Sequence, residues 1–364
     1  MRKASILGVV CVLLVGCGTL LDIKPDSPPT AVDDGGMEAG SSRDGDVLGA
    51  DAGDGASPDG TVDPGPGSCI QSAATDPCVV ASGLVDLGSI AVANGSVFFT
   101  LHATSGAVLQ VSKNGGAVSS FAGSNLPAGL YATSTALYWV TEGDDQIVRH
   151  TFGSGTRQAS TNGAATPAAH IVGLGTDTFW TIPGVGADAG QVRAASAAFN
   201  AGAGIVVNET MPTALAIDST YVYFATKTTA GHVTRFLFNG TAMAIDDIAF
   251  RDISGIALSG AGTGIVAITS LDGVHRASTQ TDATFKSPWS QVSMNATGVG
   301  LVADATSGTL YVLAADGALE VIPNVPSPPI TTLKIASCPS GTALAQDDTF
   351  VFLACKDTIV RVHK

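Results

Sequence analysis

An all-β fold, a seven-bladed β-propeller closed by its N-terminal strand, is what this sequence predicts, and three observations predict it. One pattern recurs seven times at intervals of 40–45 residues, the length of a four-stranded propeller blade. Asn-Gly and Asp-Gly pairs fall where hairpins should close: Asn94-Gly95, Asn114-Gly115, Asn239-Gly240, Asp272-Gly273 and Asp316-Gly317. Strong helix formers are scarce, since 13% of the 364 residues are charged and 44 are glycine, a composition that disfavours long helices.

The chain opens with Arg2 and Lys3 and then an apolar run from Ile6 to Val15. Ten residues or so are too few to cross a bilayer as a helix, and the pattern is that of a secretory signal. It ends in Leu14-Val15-Gly16-Cys17, which resembles a bacterial lipobox. That resemblance implies that residues 1–16 are a signal peptide removed on export and that Cys17 becomes the lipidated N-terminus. Two or three acyl chains, at ~0.8 kcal/mol per buried methylene, hold a protein stably on a membrane.

Residues 17–67 read as a disordered Asp/Gly/Pro-rich tether. Between Gly18 and Gly67 there is no Phe, Trp or Tyr, and eleven acids face only Lys24 and Arg43, which places −9 of the chain's formal −14 in this segment. So little apolar surface cannot offset the entropy cost of ordering the backbone. A flexible coil of this length spans roughly 40 Å. The Asp/Gly spacing here, as in Asp44-Gly45-Asp46, lacks the closing Glu of a calcium loop.

Residues 68–364 form the propeller domain. Its four cysteines are Cys69, Cys78, Cys338 and Cys355, and an even count in an exported chain reads as two disulfides. Three pairings are open. Cys69–Cys78 with Cys338–Cys355 is the expected one, because the second pair brackets a hairpin turning at Asp347-Asp348.

Each blade begins with a short apolar strand, marked by Ile90, Leu130, Ile171, Leu215, Ile256, Leu301 and Leu344. A second strand follows as a continuous apolar run, such as Val97-Phe98-Phe99 or Val222-Tyr223-Phe224, which suits a sheet covered on both faces by its neighbours. Pro127, Pro167, Pro212 and Pro339 mark connectors between blades. The last unit offers only three strands, over 341–346, 349–355 and 358–364. Its fourth is available at 78–87, and supplying it from the N-terminal end removes a free edge from the closing blade.

Leu137-Tyr138-Trp139-Val140-Thr141 and Val222-Tyr223-Phe224-Ala225-Thr226 lie upstream of Ile147-Val148-Arg149 and Val233-Thr234-Arg235. These units resemble YWTD, NHL-type and TolB-like propellers. With the hairpin Lys113-Asn114-Gly115-Gly116 they are similar to propeller lipoproteins of Gram-negative bacteria. The resemblance implies a propeller over about 78–364 and a lipid-anchored cell-envelope protein; it carries little about activity, since such propellers host binders, scaffolds and a few enzymes.

A net charge of −14 excludes a nucleic-acid partner, because nothing here neutralises a row of phosphates. Arg149, Arg193, Arg235, Arg276 and Arg361 recur in third strands, so they are expected to bond neighbouring blades rather than bind an anion. Trp139 and Trp180 fill a repeated core position, and Trp289 breaks that pattern. Glu142, Asp144 and Asp145 read as a solvated loop. The six histidines include no H-x-H or H-E-x-x-H pair, and no G-x-S-x-G elbow is present. Gly260-Ala261-Gly262-Thr263-Gly264 lies in a hairpin with no helix to follow. Gluconolactonase-like and streptogramin-lyase-like propellers hold a divalent metal in the channel; here His170 and Asp218 are the only ligand types near that axis. The expectation is a non-catalytic monomer without cofactor or metal, bound to the membrane by its lipid and to a protein or glycan by its loops. The alternative is a metal-dependent lactonase- or lyase-like enzyme with its site at the channel.

Overall fold

In a computed structural model, the described residues are Cys69 and 77–364, apart from 162–167, 176, 185–189, 196–203, 239–241, 246–248, 260–263, 279–288, 295–297, 326–328 and 336–337. The signal segment, Cys17 and the tether, with Pro167, Asn239-Gly240 and most of the 260–264 glycine run, lie outside them.

Seven four-stranded antiparallel sheets make up the propeller, each built from consecutive strands except the last. In blade one the strands Leu87–Ala93, Ser96–Leu101, Ala107–Ser112 and Ser119–Gly123 run from the axis outward. The innermost strands of the next five blades are Pro127–Ala132, Ile171–Leu174, Pro212–Ile217, Gly255–Leu258 and Gly298–Ala303. Blade seven joins Gly341–Gln346, Phe350–Cys355 and Thr358–His363 to the N-terminal strand Cys78–Ala81. That strand stops six residues short of the expected end, because Gly83 takes a left-handed φ of 70° and Leu87 already starts blade one.

The second strands are where the core sits. Every residue of Ala136–Thr141 is buried, as is every residue of Ile265–Ser270, and Trp139 and Trp180 are fully enclosed between blades. Asn94 and Gly95 both take positive φ, 50° and 75°, the geometry a two-residue hairpin requires. Trp289 is half-buried and packs edge-on against Phe250 at 5.3 Å, against the core of blades four and five. It belongs to the framework.

Antiparallel order places the turns between first and second strands, and between third and fourth, on one face of the disc. The blade connectors and the turns between second and third strands share the other. On this connector face, in five of the blades, the turn donates an amide to the connector beside it, as His102 to Asp86 O (2.8 Å), Lys227 to Met211 O (2.9 Å) and Lys356 to Ser340 O (3.0 Å). Buried threonines at the ends of second strands add a second set of ties. Thr100 and Thr181 Oγ1 accept from the Ser89 and His170 amides at 2.9 and 3.2 Å. Thr141 and Thr226, on the other face of their strands, accept from Gln146 and His232. This is the physical content of the repeated Thr after the aromatic pair. In blade seven Cys355 stands in the Thr226 register, opposite the first residue of the innermost strand, and is joined to Cys338 of the connector at a Cα separation of 5.0 Å. Cys69 and Cys78 are likewise at disulfide distance, 5.7 Å.

The five third-strand arginines do not all occupy one place. Arg149, Arg235, Arg276 and Arg361 pair with Tyr138, Tyr223, Ala267 and Phe352, which share one register position. Arg193 instead pairs with Trp180, the register of Trp139, so it faces the other way and its Nε donates to Gln191 Oε1 at 2.8 Å. A one-residue shift flips a strand side chain to the opposite face, which is why spacing counted along the sequence aligned all five.

Candidate functional site: the central channel

Each innermost strand pairs with only one neighbour, so its other backbone edge faces the axis with unpaired amides and carbonyls. Together the seven edges enclose a channel of about 500 Å³. Its wall is aliphatic, with Leu130, Leu215, Leu301 and Leu344 among the lining residues, and its polar side chains are Ser89, Tyr131, His170 and Gln346.

His170 stands immediately before the third innermost strand, at the channel end nearer the connector face. Thr181 fixes its backbone from both sides: the Thr181 hydroxyl accepts from His170 N at 3.2 Å, and Thr181 N donates to His170 O at 3.0 Å. Gly129 of the adjacent blade allows this close approach, because a Cβ there would lie 2.3 Å from Ala169 O and 3.2 Å from His170 Cα. The imidazole is open to channel water, yet protein surrounds it, and that desolvation lowers its pKa to about 4. It is a neutral donor–acceptor at physiological pH.

Asp218 does not join it. The register places Leu215 opposite Phe224 and Ile171 opposite Trp180, so Asp218 lies four positions beyond the His170 level, about 13 Å along the channel axis. Its carboxylate is turned into its own hairpin, where Oδ1 accepts the Thr220 and Tyr221 amides at 2.7 Å each and Oδ2 accepts the Tyr223 hydroxyl at 3.0 Å. No group of three or more His, Cys, Asp or Glu that could hold a metal occurs among the described residues. A divalent cation needs several such ligands, and the one imidazole of this wall does not fit that demand.

Tyr131 and Gln346 were not singled out from the sequence. Tyr131 has its phenol pKa raised, first by burial and then by Tyr138, so it remains a hydroxyl donor. Gln346 Nε2 donates to Ala303 O in the neighbouring blade. The available signal was the alternation of polar residues along first strands, but it appears in few blades. The acidic group is a turn on the connector face: Glu142 Oε2 lies 3.1 Å from His102 Nε2 and Asp144 accepts from Asn125. The third-strand arginines serve the frame. Arg276 donates to Val325 O at 2.6 Å in the next blade, and Arg361 donates to Lys113 O and Asn114 Oδ1 at 2.9 and 2.8 Å.

No family model matches the sequence, and none of the curated proteins does. Solved structures do match its fold. A streptogramin B lyase superposes with a TM-score of 0.63 at 15% identity, over 80% of this chain and 99% of that one. A virginiamycin B lyase from Staphylococcus aureus gives 0.59 at 13%, over 79% and 98%. A chain of a mitotic checkpoint complex gives 0.63 at 13%, over 87% and 98%. At such identities the likeness is one of fold, and the seven-bladed propeller is the shared feature.

Burial also holds the His275 pKa below the usual histidine range, against the pull of Asp272, and burial followed by Arg157 lowers that of His150. A base whose folded pKa is depressed favours the neutral form. It contributes stability above the unfolded value of about 6.5, and that contribution is lost as pH falls through the folded value. The melting temperature is therefore expected to stay level from pH 8 to 7 and decline below about 6.5. Differential scanning fluorimetry from pH 8 to 4 checks this, with His170→Gln/His275→Gln as comparison: the double variant should decline less, and parallel curves would refute the assignment.

Proposed function

We propose that this protein is a lipid-anchored component of a bacterial cell envelope, acylated at Cys17, whose tether over 17–67 displays the propeller to bind a protein or glycan partner without catalysing a reaction. The observation that supports binding over catalysis is the donor set of the channel. His170 is the one imidazole on its wall, no carboxylate accompanies it, and Asp218 is committed to Tyr223 and its own turn. A rigid disc with such a channel offers its loops as the working surface.

The rival reading, a metal-dependent lactonase- or lyase-like enzyme, draws on the likeness to two lyase structures and on His170 at the channel end. Metal content of the 68–364 chain, with melting recorded before and after chelation, separates the two. The binding reading expects no stoichiometric divalent ion and a melting temperature unmoved by chelator. A bound ion whose removal lowers melting by several degrees, the linkage a ligand of the native state produces, would establish the enzyme reading. Cys17→Ser tests the anchor: the variant should leave the membrane fraction, and its retention there would refute acylation at that residue.

A further inference from the structure

We infer that the connector face docks a basic polypeptide segment carrying large apolar side chains, an inference that rests on the binding reading above and adds the face and the partner's chemistry. Two observations meet on this face. The first is an apolar patch over blades five and six, where Met294 is 83% exposed, Leu271 54% and Val299 37%. Three segments bring these residues together. Gly273 lies so close to Ser293 O that a Cβ there would stand 2.2 Å away, and Gln291 Nε2 donates to Asp272 O, so the Leu271 turn abuts the residue before Met294. A Cβ on Gly298 would lie 2.9 Å from Thr269 Cγ2, which places Val299 beside the strand leading into Leu271. Exposed aliphatic side chains grouped in this way mark interaction surfaces.

The second observation is charge. On the connector face Arg251 and Lys334 are already paired with Asp272 and Asp316, while Glu142 and Glu209 lie 3.1 and 3.3 Å from the His102 and His232 Nε2 atoms. Among the described residues of this face, Asp86, Asp144, Asp145, Asp252 and Asp357 have no ion pair, against the two lysines Lys227 and Lys356. The opposite face carries both signs: Lys113 and Lys364 pair with Asp347 and Asp304, Arg276 and Arg361 hold backbone carbonyls of the next blade, and Asp177 and Asp348 are matched in number by Arg149 and Arg157. A partner approaching the connector face thus meets an excess of carboxylates, with Asp252 beside the Leu271 turn, whose amide donates to Arg251 O, and an apolar patch next to it. That combination attracts a cationic chain, repels an acidic one, and offers a neutral glycan neither contribution.

Fluorescence anisotropy with the full chain tests this, using a labelled Lys/Leu peptide, its Glu/Leu counterpart and a neutral oligosaccharide. The Lys/Leu peptide is expected to bind, more weakly as salt rises. Leu271→Ser/Met294→Ser should cut its affinity about tenfold at unchanged melting temperature. Val325→Ser/Ile330→Ser, at exposed apolar residues of the opposite face, should leave it unaltered. Equal binding of the acidic peptide, no binding of the basic one, or an unaffected Leu271/Met294 variant would overturn the inference. Binding of the oligosaccharide alone would overturn it while leaving the binding reading intact, whereas stoichiometric metal with chelator sensitivity would remove that reading and this inference with it.

Discussion

A chain that begins at Ser82 instead of Ser68 will melt far below the longer chain and will self-associate. The fourteen residues removed include the strand Cys78–Ala81, which pairs with Thr358–His363 to complete blade seven. They include Val80, fully buried, and Cys69, both packed with Leu87, Phe99 and Phe352 in one core cluster across the first and last blades. Losing a buried valine costs about 2 kcal/mol, and the Cys69–Cys78 link closes a loop worth roughly 2–3 kcal/mol in the chain-entropy view. The backbone ladder is lost as well, so a total near 5 kcal/mol is the expected order. The exposed edge of Thr358–His363 then offers unpaired amides and carbonyls to another copy. Thermal melts and light scattering of the two chains measure both effects. Equal melting temperatures and a monomeric shorter chain would mean that the N-terminal strand does not close the ring. The variant Cys69→Ser/Cys78→Ser, which keeps the strand, should lose only the disulfide's share.

That closure was legible in the sequence because it is a counting argument. Six repeats carry four strands, the seventh ends after three, and an unassigned strand precedes the first. The blade period and the buried second strands were legible for the same reason, since each rests on a local rule repeated seven times. What escaped was register. Arg193 is spaced like the other arginines, yet it lies opposite Trp180 rather than opposite the aromatic one residue earlier. Hairpin length sets which of two faces a strand residue takes, and the spacing from one blade to the next does not report it.

The channel was less legible than the frame, for a geometric reason. Seven innermost strands contribute one level each, so neighbours across the axis are separated by 40 or more residues and no short motif marks them. His170 was found because it broke a run of small neutral residues at strand entries. Asp218 was paired with it because both flank innermost strands, although they flank opposite ends. Tyr131 and Gln346 sit at the penultimate and last positions of innermost strands in single blades, where no repeat draws attention to them. Met294 and Leu271 read as ordinary aliphatic residues until the fold leaves them outside.

Arg235→Ala will be among the most destabilising single substitutions in the propeller, at about 3–5 kcal/mol, the usual cost of breaking a buried charged network. Arg235 is completely buried, and its guanidinium lies 4.5 Å over the Tyr221 ring, a cation–π contact that desolvation strengthens. It also faces Tyr223 across the second and third strands. The Tyr223 hydroxyl donates to Asp218, and the phenol pKa is raised by burial and then by Asp218, with Arg235 opposing. Removing the guanidinium leaves a cavity and deprives the Tyr223–Asp218 pair of its counter-charge. Arg235→Met keeps most of the packing volume and should recover part of the loss. Asp218→Asn should also destabilise, and combined with Arg235→Ala should cost less than the two single losses added, with a coupling of about 0.5–3 kcal/mol. Denaturant melts of the three variants measure this. Strict additivity would mean that Asp218 acts independently of the network and is free for another role, and the channel would then need to be searched again for a ligand held from both ends. Coupling would leave His170 as the one imidazole or carboxylate side chain at the axis among the described residues, beside the neutral groups of Ser89, Tyr131 and Gln346, a donor set suited to hydrogen-bonding a neutral ligand.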